Sequence, residues 1–216
     1  MIPILFENQD IVAVNKPEGL ASIPERSKEK ASLLSLLSSV FPCKLYVVHR
    51  LDKEASGVIL FAKNASAHKF ISERFSSRGV RKTYCILVHG RVTAAVGTIE
   101  RPLRQFGSGR MGVDAIRGKE GTTDFRVLET FSSHTLVEAH PLTGRRHQIR
   151  VHFYSIGHPV VGDPRYGDKA LQALYPRLML HAQRIECELP SGRALKIEAP
   201  IPESFELVVT KIRNEQ

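Results

Sequence analysis

The chain has 216 residues, 42% of them hydrophobic and 25% charged, and carries a net charge of +9. That composition suits a soluble globular protein with a sizeable core, built as one domain or as one domain with two lobes. No run approaches the roughly 20 apolar residues of a membrane span, and Met-Ile-Pro-Ile-Leu-Phe-Glu lacks the layout of a signal peptide, so a cytoplasmic protein without membrane contact is expected.

Along the chain, Ile4-Leu5-Phe6 and Ile11-Val12-Ala13-Val14 read as short strands around the turn Glu7-Asn8-Gln9-Asp10, and Lys16-Pro17-Glu18-Gly19 breaks the run. Ser32 is placed to cap a helix carrying Leu33, Leu34, Leu36 and Leu37, which ends before Pro42. Val58 to Ala62 predicts a buried strand. Asn64 predicts the cap of a helix with the stripe Ala67, Phe70, Ile71 and Phe75, stopped by Gly79. Strands follow at Thr83 to Val88, Asp124 to Glu129 and Thr135 to Ala139. Between them the basic, glycine-rich stretch Gly107 to Gly121 shows no periodicity and reads as a surface loop or, as its arginines favour, a flexible arm that orders on a ligand.

Thr143 is placed to cap a helix running to about Ile156, with Ile149, Phe153 and Ile156 toward the core and Gly157 at its end. In that register Arg146 and Arg150 share a face. A loop through Gly162, Pro164 and Gly167 precedes strands at Met179 to Leu189 and Ala194 to Ile197, and an amphipathic helix from about Glu203 to Ile212. Long strand runs with few helices predict an α+β fold with a largely antiparallel sheet.

Within this frame, Val47-Val48-His49-Arg50-Leu51-Asp52-Lys53-Glu54-Ala55-Ser56-Gly57-Val58 sets a carboxylate at the junction of two apolar runs. An aspartate after a short strand is most often a turn or capping residue. Here the surrounding chain points further. The positive charge is clustered, at Arg78, Arg81 and Lys82, at Arg101, Arg104, Arg110, Arg117 and Lys119, and at Arg145, Arg146 and Arg150, which favours a polyanionic partner. Cys43, Cys85 and Cys187 form no paired motif, and His147 and His152 are five apart, the wrong spacing for two ligands on one helical face. Neither a metal nor a thiol centre is expected.

Three separated segments together resemble the RluA-type RNA pseudouridine synthases along nearly the whole chain. They are His49-Arg50-Leu51-Asp52 with Ser56-Gly57; Arg81-Lys82-Thr83-Tyr84; and Gly144-Arg145-Arg146-His147-Gln148-Ile149-Arg150-Val151-His152 with Gly157-His158-Pro159 and Gly162-Asp163-Pro164-Arg165-Tyr166-Gly167. Asn15-Lys16-Pro17-Glu18-Gly19-Leu20 and Leu180-His181-Ala182 also fit. The resemblance implies a pseudouridine synthase fold, with a sheet in two lobes, an active-site cleft across the middle, and a single catalytic domain over 1–216 with a basic loop at about 104–121. The chain starts directly at that domain, without the small N-terminal RNA-binding module of longer relatives.

The implied activity is isomerisation of uridine in ribosomal or transfer RNA, without cofactor or metal, by a monomer. Asp52 is then the catalytic carboxylate, either as nucleophile or as base on a glycal route. Arg150 is its ion-pair partner, which would hold the acid ionised. Tyr84 stacks on the uracil and Leu180 packs on the other side. Arg50 fills the space left by the flipped nucleotide. His49 either orients the Asp52 loop or simply packs. Lys16, Lys82, Arg145, Arg146 and His147 are implied RNA contacts. Two departures from the family pattern stand out: Ala55 replaces a threonine beside the catalytic turn, and Ile86 a small residue after the tyrosine. Two other functions fit the same residues, a non-catalytic RNA-binding or chaperone protein of this fold and a glycosidic hydrolase.

Overall fold

Alternating and continuous apolar runs become strands where the sequence predicts them, and the capped stripes become helices. The computed structural model describes residues 2–24 and 31–215. The fold is α+β, as expected, and its named strand pairs are antiparallel. The chain forms two units, Met1–Lys82 with Ala182–Pro200, and Thr83–His181 with Ile201–Gln216. Among the described residues no helix is long and apolar enough to cross a membrane.

In the first unit, β1 (Ile4–Glu7) and β2 (Ile11–Lys16) form a hairpin, and β2 pairs with the fully buried β4 (Ser56–Ala62). The turn between β1 and β2 closes because Asn8 Oδ1 accepts from the amides of Asp10 and Ile11, at 2.9 and 2.8 Å. The two-residue β3 (Tyr46–Val47) adds to β4, and β12 (Ala194–Glu198) pairs with β11 (Leu180–Glu188). Ser32 caps α1 (Leu33–Ser38) with a full capping box. Asn64 caps α2 (Ala65–Ser76), which lays Ile71 against Ile11 and Leu189. Its left-handed terminal residue is Arg78 (φ 62°) rather than Gly79, whose amide returns to the Arg74 carbonyl at 2.8 Å in a Schellman closure. Ala13, Val58, Leu60, Ile185, Cys187 and Ile197 belong to one core cluster.

The second unit holds an antiparallel sheet in the order β5 (Arg81–His89, from Thr83 onward), β10 (His134–Pro141), β9 (Thr122–Thr130) and β6 (Val96–Glu100). Helix α3 (Gln148–Ser155) crosses it, with Phe153 edge-on to Phe125 at 5.6 Å. Helix α5 (Glu203–Asn214) opens on Glu203 and Glu206 and closes on Lys211 and Arg213, which complements its dipole.

Three expectations need correction here. The stretch Gly107 to Gly121, expected to lack regular structure, holds β8 (Met111–Val113), which forms a hairpin with β7 (Leu103–Gln105) just before the stretch and is followed by a turn in which Asp114 Oδ1 accepts from the amides of Ile116 and Arg117. Short strands around glycines carry too few alternations to show a period. Second, the loop after Gly162 includes a short helix, α4 (Lys169–Gln172), capped by Asp168. Third, α3 begins at Gln148, not after Thr143. The Thr143 hydroxyl instead donates to Gln148 Oε1 at 2.6 Å, and His147 (φ 53°) turns the chain into the helix. Arg146 therefore precedes the helix and shares no helical face with Arg150.

Candidate active site

Asp52 sits in a turn whose own carbonyl accepts the Ala55 amide at 3.2 Å. On its N-terminal side the backbone of Leu51 is gripped at both polar atoms by one buried hydroxyl: Ser22 Oγ donates to the Leu51 carbonyl (2.8 Å) and accepts from the Leu51 amide (3.1 Å). On its C-terminal side the carbonyl of Lys53 accepts from Lys16 Nζ at 3.1 Å. The same ammonium, fully buried, donates to the carbonyls of Pro17 (2.9 Å) and Leu20 (2.8 Å). Three charge-assisted bonds offset the cost of withdrawing it from water. The clamping segment is itself anchored, because the first amides of α1 donate to the carbonyls of Ala21 and Ser22 at 2.8 and 3.2 Å.

Asp52 is thus held on both flanks and is itself half-buried. Ala55 is buried and closes the turn through its backbone, without the hydroxyl a threonine would add. Gly57 (φ 114°), the second residue of β4, lies where a side chain would collide with the backbone of Ala182, so the close approach requires glycine.

His49 is tied to β4 and to α2. Its Nε2 accepts the Leu60 amide at 3.0 Å, one position past the last β3–β4 pair, so the imidazole continues a ladder that the two-residue strand abandons. The ring stacks on Phe75 at 4.7 Å. Burial, with the Lys82 ammonium second, pushes its pKa down to about 3, and the accepting Nε2 requires the neutral ring. Burial likewise holds the Lys82 ammonium below its usual range. Arg50 is exposed.

In the second unit Arg150 is fully buried and makes a bidentate pair with Asp163: Nε to Oδ2 at 2.7 Å and Nη2 to Oδ1 at 2.8 Å. Asp163 Oδ1 also accepts from the amides of Arg165 (2.9 Å) and Tyr166 (3.2 Å). The guanidinium lies 5.3 Å from the Tyr166 ring centroid. The Tyr166 hydroxyl accepts the Met111 amide at 3.3 Å and meets His147 Nδ1 at 2.9 Å.

Gln148, at the first position of α3, spends its whole amide internally. Its oxygen accepts from Thr143 and from the Arg145 amide, and its nitrogen donates to the Thr122 carbonyl and Thr123 Oγ1. Tyr84 is half-buried in β5 opposite Ala139, and Leu180 is buried at the start of β11. Among the described residues no three His, Cys, Asp or Glu side chains gather as a metal site requires.

Two of the expected RNA contacts are placed otherwise. Lys16 is buried on three carbonyls, and His147 is buried with Nδ1 against the Tyr166 hydroxyl. Arg145 and Arg146 are exposed, with Arg145 Nε donating to the Glu120 carbonyl at 2.9 Å. The first unit brings Lys16 and His49 around the Asp52 turn. The second gathers His147, Arg150, Asp163 and Tyr166. Ser22, Gln148 and the role of Asp163 were not evident from sequence. For Asp163 the only signal is its position within Gly162-Asp163-Pro164.

Comparison with known proteins places these residues in context. A family model described as RNA pseudouridylate synthase matches residues 10–155, a span that includes Lys16, Asp52, Tyr84 and Arg150. Ribosomal large subunit pseudouridine synthase D of Pseudomonas aeruginosa is 34% identical over 234 residues, covering 100% of this chain and 73% of the relative. Ribosomal large subunit pseudouridine synthase C of Escherichia coli K12 is 36% identical over 224 residues, covering 98% and 70%. Among solved structures, human RNA Pseudouridylate Synthase Domain Containing 1 superposes with a TM-score of 0.82 at 28% identity, over 99% of this chain and 95% of that one.

Proposed function

The chain belongs to the RNA pseudouridylate synthase family, and on that premise we propose that it isomerises specific uridines in structured ribosomal RNA with Asp52 as the carboxylate acting at C1′. An enzyme of this family converts uridine in RNA to pseudouridine. The N1–C1′ bond breaks, the uracil turns, C5 bonds to C1′, and the proton at C5 is lost as N1 gains one. Composition and mass are unchanged, so the protein's task is to hold the fragments and move protons.

One observation carries the assignment of Asp52. Two buried side chains, Ser22 and Lys16, fix the residues on either side of it, while Asp52 itself is half-buried. A reacting carboxylate needs a backbone held this firmly, so that the acid meets its target in one geometry. It serves either by bonding to C1′ or by taking the 2′ proton on a glycal route. Arg150 is the cation that serves this carboxylate, and Asp163 fixes the guanidinium by occupying two of its five donors.

Tyr84 stacks on the uracil, its hydroxyl placed to take the C5 proton, with Leu180 on the other face. The uridine is flipped out of the RNA, and exposed Arg50 fills the vacated stack. Lys82, Arg145 and Arg146 contact phosphates. The ribosomal target is supported by the names of the bacterial relatives, and ribosomal RNA puts the enzyme in the cytoplasm, where it acts as a monomer without cofactor or metal.

The test is to delete the gene, map pseudouridines across ribosomal and transfer RNA, and complement with wild type or Asp52→Ala. Wild type restores a lost ribosomal site and Asp52→Ala does not. No lost site, together with no modification by purified protein, removes the enzyme and leaves a binding protein. Release of free uracil marks a hydrolase, and a lost transfer RNA site reassigns the substrate.

A further inference from the structure

Helix α4 is only four residues long, and its last residue, Gln172, is 5% exposed. Its side-chain oxygen accepts the Asp163 amide at 3.2 Å and meets His89 Nε2 at 3.2 Å. Its nitrogen donates to the carbonyls of Val160 and Tyr166, both at 3.1 Å. Every hydrogen-bonding position of the amide is therefore occupied, and only one orientation of the group satisfies two carbonyls and two donors at once. Burial holds His89 below its usual pKa, which keeps the ring neutral with Nε2 as the donor.

The four partners lie on β5 and on both arms of the loop from Val160 to Tyr166. Asp163, at the apex of that loop, is the residue that grips Arg150. Gly167 (φ 104°) lies so close to the Gln172 amide that a side chain there would have no room. No charge, motif or periodicity marks this glutamine in the sequence.

We propose that Gln172 is a positioning residue for the isomerisation: by tying the two arms of the Asp163 loop to each other and to β5, it sets the direction of the Arg150 guanidinium. This rests on the reading in which Arg150 serves the reacting carboxylate. The effect is indirect, since Gln172 acts on the loop backbone, the loop aims Asp163, and Asp163 aims Arg150. A misaimed guanidinium slows the chemical step without removing any group that holds RNA, so the rate should suffer and binding should not.

The experiment compares wild type, Gln172→Met, which keeps the shape and removes all four bonds, and Gln172→Glu, which keeps only the two accepting ones. Three quantities are read: the single-turnover rate at saturating RNA, the RNA concentration for half-saturation, and solvent exchange of the Arg150 Nε–H by nitrogen-edited NMR. The expected result for Gln172→Met is a rate about 10- to 100-fold lower with half-saturation within about 2-fold, and faster Arg150 exchange. Gln172→Glu falls between the two.

A folded Gln172→Met with wild-type rate and exchange, differing only in melting temperature, overturns the proposal and leaves Gln172 as loop filler. If that variant does not fold, Gln172→Glu decides, and wild-type rate and exchange there overturn it equally. A wild-type protein that modifies no RNA sinks the functional reading instead, and Arg150 exchange alone then decides whether Gln172 positions the guanidinium.

Discussion

Arg150 and Asp163 face each other through two parallel hydrogen bonds of 2.7 and 2.8 Å, with both side chains fully withdrawn from solvent. Removing one partner strands the other charge in the interior. Asp163→Ala is expected to cost about 3–5 kcal/mol and to lower the melting temperature by roughly 10 °C for a chain of this size. Thermal unfolding checks it. A change under about 1 kcal/mol would mean that the pair is far better solvated than its burial indicates.

Ser22 satisfies both the amide and the carbonyl of Leu51. In Ser22→Ala each is left unmet in the interior, at about 1–3 kcal/mol, and the Asp52 turn loosens. The expected kinetic signature is a fall in kcat on saturating RNA with little change in KM. Ser22→Thr keeps the hydroxyl and should retain more of the rate than the alanine variant. Steady-state kinetics on the three proteins tests the order.

Lys16 and the two exposed arginines predict opposite behaviour. Lys16→Met removes a buried ammonium from three carbonyls and should destabilise the fold while leaving the salt dependence of RNA binding unchanged. Arg145→Ala and Arg146→Ala should each flatten the plot of log Kd against log salt by roughly 0.7–0.9 per lost phosphate contact. A Lys16 variant with the flattened slope would restore it as a phosphate contact.

His49 is neutral in the folded chain, its pKa pushed down to about 3 by burial and then by Lys82, against 6.5 unperturbed. The unfolded chain therefore binds the extra proton between those values. Its contribution is fully present above pH 6.5 and is lost progressively as pH falls toward 3. His89, His134 and His152 are lowered by burial in the same direction. The urea midpoint should fall from pH 7 to pH 5, and less steeply in His49→Gln, whose carbonyl can accept the Leu60 amide without titrating. Parallel curves for the two proteins would contradict the neutral, buried assignment.

Burial raises the Cys85 thiol to about 12 and Cys187 to about 11, while Cys43 is only partly buried. A thiolate-specific reagent at pH 8 should label one equivalent quickly, on Cys43, and the other two at the rate of unfolding. Peptide mapping of the labelled chain identifies the site.

Much of this molecule was legible from residue type and spacing. The caps Ser32 and Asn64, the strand runs of β2, β4, β9 and β10, the final helix and the placement of Asp52 after a short strand all follow from local propensity and periodicity. Those signals act within a few residues. The start of α3 escaped them because Thr143, a good cap by type, binds the Gln148 side chain instead and the turn into the helix is made by His147 in a left-handed conformation. Lys16 was expected to contact RNA; lysines are rarely buried, and the three carbonyls that hold it in the interior converge only after folding.

The sequence by itself determined the fold class and the family and singled out Asp52, because these depend on local patterns and on motifs that survive as strings. Tertiary structure alone decided what holds the Asp52 turn and what holds Arg150: Ser22 reaches Leu51 across 29 positions, Asp163 reaches Arg150 across 13, and Gln172 reaches His89 across 83. A hydrogen bond acts over about 3 Å in space and leaves no mark on the intervening chain, so side-chain partners appear only when the backbone has brought them together.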